Sequence, residues 1–340
     1  MSSTTKLPPE AALLELITGH WRSCAVHAAA KLGLADVLRD GPLGAVEIAE
    51  RLGLHAGATH RLLRALASLG VFAERGGRFE LTPMADLLRS DRRGSLRSLS
   101  LAIGGAPLRA WGELDTSVRS GEPAFDRVHG QSFFAYLAAH EADERAFDEA
   151  MIEQSSLSHA AILSAYDFSP FRTIVDIGGG AGALLERILH KHGGPRGVVF
   201  DLPQVVAKAR ARLAHGPLAE RLDFVGGDFF SAVPPGGDAY ILAMVIHDWS
   251  DADAVRILRT VREAMAPGAK ILLSELLIPP GNTSFFGKLL DLDMMVNLGG
   301  RERTADEYRA LFTEAGLQLA RFVPAYGPMS VLSIIEGTRA

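Results

Sequence analysis

The chain has one cysteine, Cys24, in 340 residues. A single thiol excludes an internal disulfide framework and fits a reducing compartment, so a cytoplasmic location is expected. No apolar run reaches the ~20 residues that a membrane-spanning helix needs. The opening MSSTTKLPPE has no basic stretch followed by an apolar one, so no signal peptide is read there. Positive charge is not in excess either, since the formal net charge is −5. That removes any general attraction to nucleic acid or to an anionic membrane. Fixed-period repeats and low-complexity tracts are absent. The length predicts two domains with substantial cores.

Glycine is plentiful, and one cluster of it organises the chain. Thr173 to Ile177 (TIVDI) is a short β-branched run with one acid, Asp176, at its end, and predicts a buried parallel strand. Gly178, Gly179, Gly180 and Gly182 then turn the chain, and Ala183 to His190 reads as a helix. Glycines let backbone approach a ligand closely, and the helix N-terminus offers free N–H groups. Gly178, Gly180 and Ala183 also satisfy the loose dinucleotide fingerprint, with Asp201 near the expected ribose acid. A nucleotide-dependent dehydrogenase and a tight turn with no ligand both remain open on this stretch alone.

The first half of the chain predicts helices. Leu13, Leu14, Ile17, Trp21, Ala25 and Ala28 fall at helical spacing within one helix, Glu10 to Ala30. A short helix is read over Leu32 to Leu38. Two helices joined at Gly53 follow, then a hairpin of Val71–Glu74 and Arg78–Leu81 around Gly76-Gly77. Leu62, Leu63, Leu66 and Leu69 are expected to face inward. Helix-turn-helix plus hairpin is a winged-helix pattern. His60, Arg61 and Arg64 raise a DNA-binding reading, but the segment mixes signs, which favours a structural or dimerising role. Trp111–Val118, Ser132–His140 and a long helix from Glu141 to about Tyr166 lead to the glycine-rich strand.

The second half alternates strand and helix. Strands are expected at 197–203, 222–225, 238–244 and 270–275, with helices at 204–213 and 252–266. This predicts an α/β fold, an open and mostly parallel Rossmann-like sheet with helices on both faces. Ligands bind such sheets outside the carboxyl ends of the strands. Asp176, Asp201, Asp228, His247 and Glu275 all lie at or just after those ends.

With DIGGGAG (176–182), VFDLP (199–203), GGDFF (226–230), IHDWSD (246–251) and GGRERT (299–304), the chain resembles the S-adenosylmethionine-dependent O-methyltransferases of the caffeate and bacterial antibiotic-tailoring type. The resemblance runs over nearly the whole chain. It implies a class I methyltransferase domain at 167–340, a winged-helix-like dimerisation domain at 1–105 and a helical linker region at 106–166. It implies S-adenosylmethionine as cofactor, held by Asp176, Gly178, Gly180, Asp201, Leu202, Gly227, Asp228 and Phe229. Asp201 would take both ribose hydroxyls, Asp228 the adenine amino group, and Phe229 the ring face.

The resemblance also implies His247 as general base, flanked by Glu275 and Glu302, which would orient and stabilise the imidazolium. Phe147, Met151, Asp248, Met294 and Asn297 would meet an aromatic acceptor, with Met295 beside them, although methionines at this spacing also suit a core. His247, Asp248, Asp251 and Asp253 raise a metal site, but Ser250 and Asp251 stand where a helix begins and read as caps, so no metal is expected. Many plant members carry a donor-contacting lysine where this chain has Ala243. Relatives dimerise through the N-terminal half, so a homodimer is expected, with Leu13, Leu14, Ile17 and Trp21 at its interface. The reading is transfer to a phenolic hydroxyl. N-methylation of a heterocycle such as a phenazine, a non-methylating cofactor binder and a winged-helix regulator are the alternatives.

Overall fold

The computed structural model describes residues 7–327 and 330–340. The first six residues, more than half of the opening stretch read for a leader, lie outside it. The described chain forms two compact units. One runs through Arg109 and adds Leu137–Glu153; the other comprises Ala110–Tyr136 and Gln154–Ala340. The stretch 106–166 is thus shared between them. The long helix Glu141–Ala165 contributes its first half to one unit and its second half to the other.

In the first unit the expected helix 10–30 is two helices, Pro9–Ile17 and Gly19–Leu32. The break falls at Thr18, whose hydroxyl donates back to the Leu14 carbonyl at 2.8 Å. A β-branched residue bonding its own preceding turn, followed by glycine, weakens helix continuity there. Strand β1 (Leu43–Gly44) leads into helix Ala45–Leu52, which ends at Gly53 in the left-handed conformation. Helix Ala56–Ser68 follows, capped by His55, whose ring nitrogen accepts from the Ala58 N–H. Strands β2 (Phe72–Arg75) and β3 (Arg78–Leu81) form the hairpin. Gly76 and Gly77 both have positive φ (56° and 76°), the type I′ requirement. Leu63 and Leu66 are fully buried beside Leu34, Ile48, Phe72 and Phe79. Leu69 is exposed, contrary to expectation, because the helix ends one residue before it.

The second unit is a seven-stranded sheet. Strands β4 (Thr173–Ile177), β5 (Arg196–Asp201), β6 (Leu222–Gly226), β7 (Ala239–Ala243) and β8 (Lys270–Leu276) are parallel neighbours in the order β6-β5-β4-β7-β8. Beyond β8 the sheet continues antiparallel through β10 (Ser330–Arg339) to β9 (Leu317–Gly327). These last two strands were not expected from the sequence. Pro324 interrupts the apolar run of β9, which demotes such a run. It is tolerated because β9 is the outermost strand, pairing on one side only. Alternation sends Val175, Leu242, Ile271 and Leu273 to one face, packed with Ile257, Leu258 and Phe312. It sends Ile174, Val199, Ile241 and Leu272 to the other, against Ile188 and Ala209. No helix among the described residues is long and apolar enough to cross a membrane.

One ion network ties the parallel part of the sheet to its antiparallel end. Glu336 on β10 is buried and accepts from Lys270 (2.6 Å), from Tyr166 (2.8 Å) and from Arg321 (3.0 and 2.8 Å). Burial alone would raise its pKa, but the Lys270, Arg321 and Tyr166 bonds outweigh it and hold the carboxyl below its ordinary value. The depressed value stabilises the fold at neutral pH, and that contribution is lost as pH falls through the folded-state pKa. Glu336→Gln should cost about 1–3 kcal/mol at pH 7, leaving two cations and a phenol partly unsatisfied. The loss in melting temperature relative to wild type should shrink on acidification below the ordinary glutamate range. An equal loss at pH 3.5 and pH 7 would argue against the charged network.

Candidate active site

The glycine loop leaves β4 with its amides turned back on the sheet. Gly178 and Gly179 donate to the Phe200 carbonyl of β5 at 2.9 and 3.2 Å. Gly178 has φ 67°, and a Cβ there would stand 2.8 Å from a Val245 methyl. Asp201, at the end of β5, accepts from the Gly180 N–H (2.9 Å) and the Leu202 N–H (2.7 Å) through different oxygens. Each oxygen keeps a lone pair for another donor. Asp176 is buried behind the loop, and its Oδ2 has no hydrogen-bond partner among the described residues. Burial, reinforced by the Asp201 charge, pushes its carboxyl up to about 7. Asp201 is raised too, by burial, against the two amide bonds.

After β6 the chain turns at Gly227, packed so tightly that a Cβ would lie 2.6 Å from the Phe200 ring. Asp228 is exposed and braces its own loop, accepting from the Phe230 N–H at 2.9 Å. Phe229 lies half-buried, edge-on to Trp249 with centroids 5.8 Å apart. The strand-end residues Asp176, Asp201 and Asp228 thus sit along one edge, as expected from parallel topology.

The exit from β7 is strained. Met244 has φ 55°, rare for a side chain with a Cβ. This turn aims the Val245 and Ile246 N–H groups at Glu275 Oε1, at 3.2 and 2.9 Å. A single helical turn then presents His247, which is buried. Its Nδ1 lies 2.7 Å from Glu302 Oε1, and its Nε2 lies 3.3 Å from Asp248 Oδ1. The carboxylate at Nδ1 fixes that nitrogen as the N–H, so the neutral ring keeps Nε2 as acceptor. Glu275 Oε2 and Glu302 Oε2 have no partner among the described residues. His247, Glu275 and Glu302 offer donor atoms within 4.8 Å of one another, close enough to be considered as metal ligands.

The acids dominate the electrostatics here. Burial alone would lower the His247 pKa, but Asp248, the Glu302 bond and Glu275 together raise it to about 10. Glu275 is pushed up to about 7, by burial first, against the attraction of His247. Asp248 is raised as well, again by burial.

The loop that brings Glu302 to His247 is fixed by residues to which the sequence reading gave no role. A Cβ at Gly300 would fall 2.2 Å from the His247 carbonyl oxygen, so only glycine fits. The Arg301 N–H donates to that same carbonyl at 2.8 Å, and the Glu302 N–H donates to Asp291 at 2.8 Å. Arg303 is fully buried and donates to Asp251 (2.8 Å) and to the Ile246, Trp249 and Arg301 carbonyls. GGRERT was legible as a motif, but the work of its glycine and second arginine is tertiary. Ser250 caps helix Asp251–Ala264 as expected, accepting from the Asp253 N–H. Asp251 is held by Arg301 and Arg303.

Of the expected acceptor contacts, Met294 and Asn297 are buried on helix Gly287–Asn297 in the second unit, with Asp248 and His247. Phe147 and Met151 are half-buried on the part of the long helix that belongs to the first unit.

The chain matches the family model of the O-methyltransferase domain over residues 111–318 and that of the O-methyltransferase dimerisation domain over residues 14–91. It is 44% identical over 331 residues to a phenazine O-methyltransferase of Lysobacter antibioticus, covering 97% of this chain and 96% of that protein. It is 41% identical over 328 residues to an O-demethylpuromycin O-methyltransferase of Streptomyces alboniger, covering 94% and 87%. Its fold superimposes with a TM-score of 0.84 on the crystal structure of an O-methyltransferase from neocarzinostatin biosynthesis in complex with S-adenosylmethionine and 2-hydroxy-5-methyl naphthoic acid. That pair is 34% identical, over 94% of this chain and 96% of the other. The chain therefore belongs to the O-methyltransferase family, with the family's dimerisation domain preceding its methyltransferase domain.

Proposed function

We propose that this chain transfers a methyl group from S-adenosylmethionine to a phenolic hydroxyl of an aromatic secondary metabolite, with His247 as general base. The observation that carries this reading is the buried His247, held at Nδ1 by Glu302 and presenting Nε2, at the strand-end edge that also holds the glycine loop. The loop fits the donor on its own geometry. Gly178 leaves a Cβ-free approach, Asp201 has lone pairs to spare for a ribose diol, and Asp176 offers an unpartnered carboxylate oxygen suited to a cation. Leu202, Gly227, Asp228 and Phe229 would complete it. When bound, the donor supplies a methyl group made electrophilic by a sulfonium.

The chain's own residues handle the proton. Free imidazole, at pKa ~6.5, is a poor match for a phenol at ~10. The acids around His247 bring its proton affinity to about the phenol's own level. Transfer from phenol to Nε2 is then nearly level rather than uphill by ~5 kcal/mol. Glu302 keeps the ring oriented, Glu275 stabilises the cation that forms, and Asp248 faces the nitrogen that the acceptor hydroxyl must reach. Met294 and Asn297 would hold the aromatic ring. The partners implied are an aromatic small molecule and a second copy of this chain, without nucleic acid or membrane, in the cytoplasm.

The second copy would pair through the first unit. Leu13, Leu14, Ile17 and Trp21 are 58–66% exposed on its first two helices, at and just before the start of the matched dimerisation segment. Exposed apolar stripes of this kind mark interfaces. Light scattering after size exclusion should give a dimer for wild type and a folded monomer for Ile17→Glu combined with Trp21→Glu. A monomeric wild type would overturn the assignment.

Calorimetric titration should show S-adenosylmethionine binding to wild type and not to folded Asp201→Ala. His247→Ala should lower kcat by about 10²–10⁴-fold with donor binding intact. Near-normal turnover by that variant would instead favour N-methylation, which needs no base. Because the free-enzyme His247 pKa is raised to about 10, kcat/KM should rise with pH through the alkaline range as the base form appears. Asp248→Asn removes the strongest raising charge, so the rising limb should move to lower pH. An unmoved limb would assign it to the acceptor's own ionisation.

A further inference from the structure

The glycine loop has little of its own to hold its shape. Four of the five residues 178–182 are glycine, the residue with the most backbone freedom to lose. The Gly182 N–H donates to the Gly179 carbonyl at 2.8 Å, and φ is positive at Gly180 (55°) but not at Ala181. That is the sign pattern of a II′ turn, which favours glycine at its first central position. Helix Pro203–Leu213 and the strand end leading into it fasten three consecutive residues of this turn. Asp201, two residues before the helix, accepts from the Gly180 N–H at 2.9 Å. Arg212, in the last turn of the helix, donates to the Ala181 carbonyl through Nε (3.2 Å) and Nη2 (2.8 Å). Leu213 packs on Gly182 so closely that a Cβ there would stand 3.0 Å from its Cδ1.

The remaining nitrogen of the guanidinium answers an electrostatic difficulty. A fixed cation beside a loop suited to a sulfonium would repel it. Arg212 Nη1 donates to Glu186 Oε2 at 2.7 Å, and Glu186 lies in the first turn of the helix that leaves the loop. The pair is neutral in sum, so Arg212 offers a rigid fork of hydrogen bonds without a net charge. The two side chains are 42% and 28% exposed. Ion pairs this open to water contribute little to stability. Holding the fold together therefore does not account for a fork aimed at one backbone carbonyl of the loop.

We propose that Arg212 is a positioning residue for the methyl donor: by fixing the Ala181 carbonyl it holds the 179–182 turn in its binding shape before the donor arrives. This rests on the S-adenosylmethionine reading above and deepens it. A preordered loop loses less conformational freedom on binding, and the difference appears as affinity. The effect acts through geometry, so it is the same for S-adenosylmethionine and for its demethylated product, which lacks the sulfonium charge. A purely electrostatic role predicts otherwise. Removing a cation would then tighten the sulfonium-bearing donor relative to the product.

Arg212→Met tests this, because methionine keeps an apolar stem and a high helix propensity while removing every donor. Wild type, Arg212→Met, Arg212→Lys and Glu186→Gln would be titrated calorimetrically with both ligands, and amide exchange followed on the unliganded proteins. Arg212→Met should weaken both ligands by the same factor, about tenfold, the worth of a hydrogen bond to a charged group. Amide exchange over 179–183 should quicken, with melting temperature and kcat at saturating donor close to wild type. Arg212→Lys keeps one donor group for the carbonyl and should recover part of the affinity. Glu186→Gln leaves the Arg212 charge unbalanced and should weaken S-adenosylmethionine more than the product. Unchanged affinities in Arg212→Met, or S-adenosylmethionine tightened relative to the product, overturn the proposal while leaving the methyltransferase reading standing. A lowered melting temperature with both affinities intact would reduce Arg212 to a structural brace and also overturn it. Failure of folded wild type to bind either ligand overturns both.

Discussion

The 2.7 Å contact between His247 Nδ1 and Glu302 is the interaction on which the rest of the site depends. It joins two residues distant in sequence, both almost wholly buried. A buried ion pair gains little over apolar packing, yet losing one partner strands the other at a cost of ~3–5 kcal/mol. Such a pair persists only where its surroundings leave it no alternative geometry. Here the backbone of the 299–303 segment is fastened at successive residues. Gly300 lies against the His247 carbonyl, Arg301 bonds it, Glu302 is held by Asp291, and Arg303 bonds the carbonyls on either side of His247. His247 and its carboxylate partner are thus fixed through backbone first, and their side chains meet as a consequence.

The same logic explains the strain at Met244. A positive φ at a residue with a Cβ costs of order 1–3 kcal/mol. It is offset where two consecutive N–H groups converge on one Glu275 oxygen. Glu275 sits on β8, next to β7 in the middle of the sheet, where the ladder leaves it no room to move. A rigid strand therefore supplies the carboxylate, and a strained turn is bent to meet it. Sheet topology does the rest, since parallel strands all end at one edge.

Much of this was legible because it is local. The glycine loop, the strand-end acids, the winged-helix core and the Ser250 cap follow from residues close in sequence. The I′ turn at Gly76-Gly77 does too. What escaped was set by distant neighbours. Strand β9 was hidden by Pro324, whose meaning changes at a sheet edge. The break at Thr18 turns on one hydroxyl choosing its own backbone. The roles of Gly300, Asp291 and Arg303 exist only once the 299–303 segment lies against 246–249. Arg212 and Ala181 are far apart in the chain, and no spacing rule could have joined them.

The acids at this edge serve two ends that pull against each other. Glu302, Asp248 and Glu275 raise the proton affinity of the His247 imidazole, and by the same charge they hold a proton on it at neutral pH. Burial raises the carboxyl pKa of Asp176 and Asp201, and a cation at the neighbouring loop would favour their charged forms. A unit positive charge near an imidazolium repels it and lowers the pKa of the ring. Occupation of the loop by a cation would therefore work to discharge the imidazole that the flanking acids have charged. The buried carboxylates that look unfavourable in isolation make proton release and donor binding parts of one electrostatic balance, spread across two strand ends and a loop held in place by Arg303.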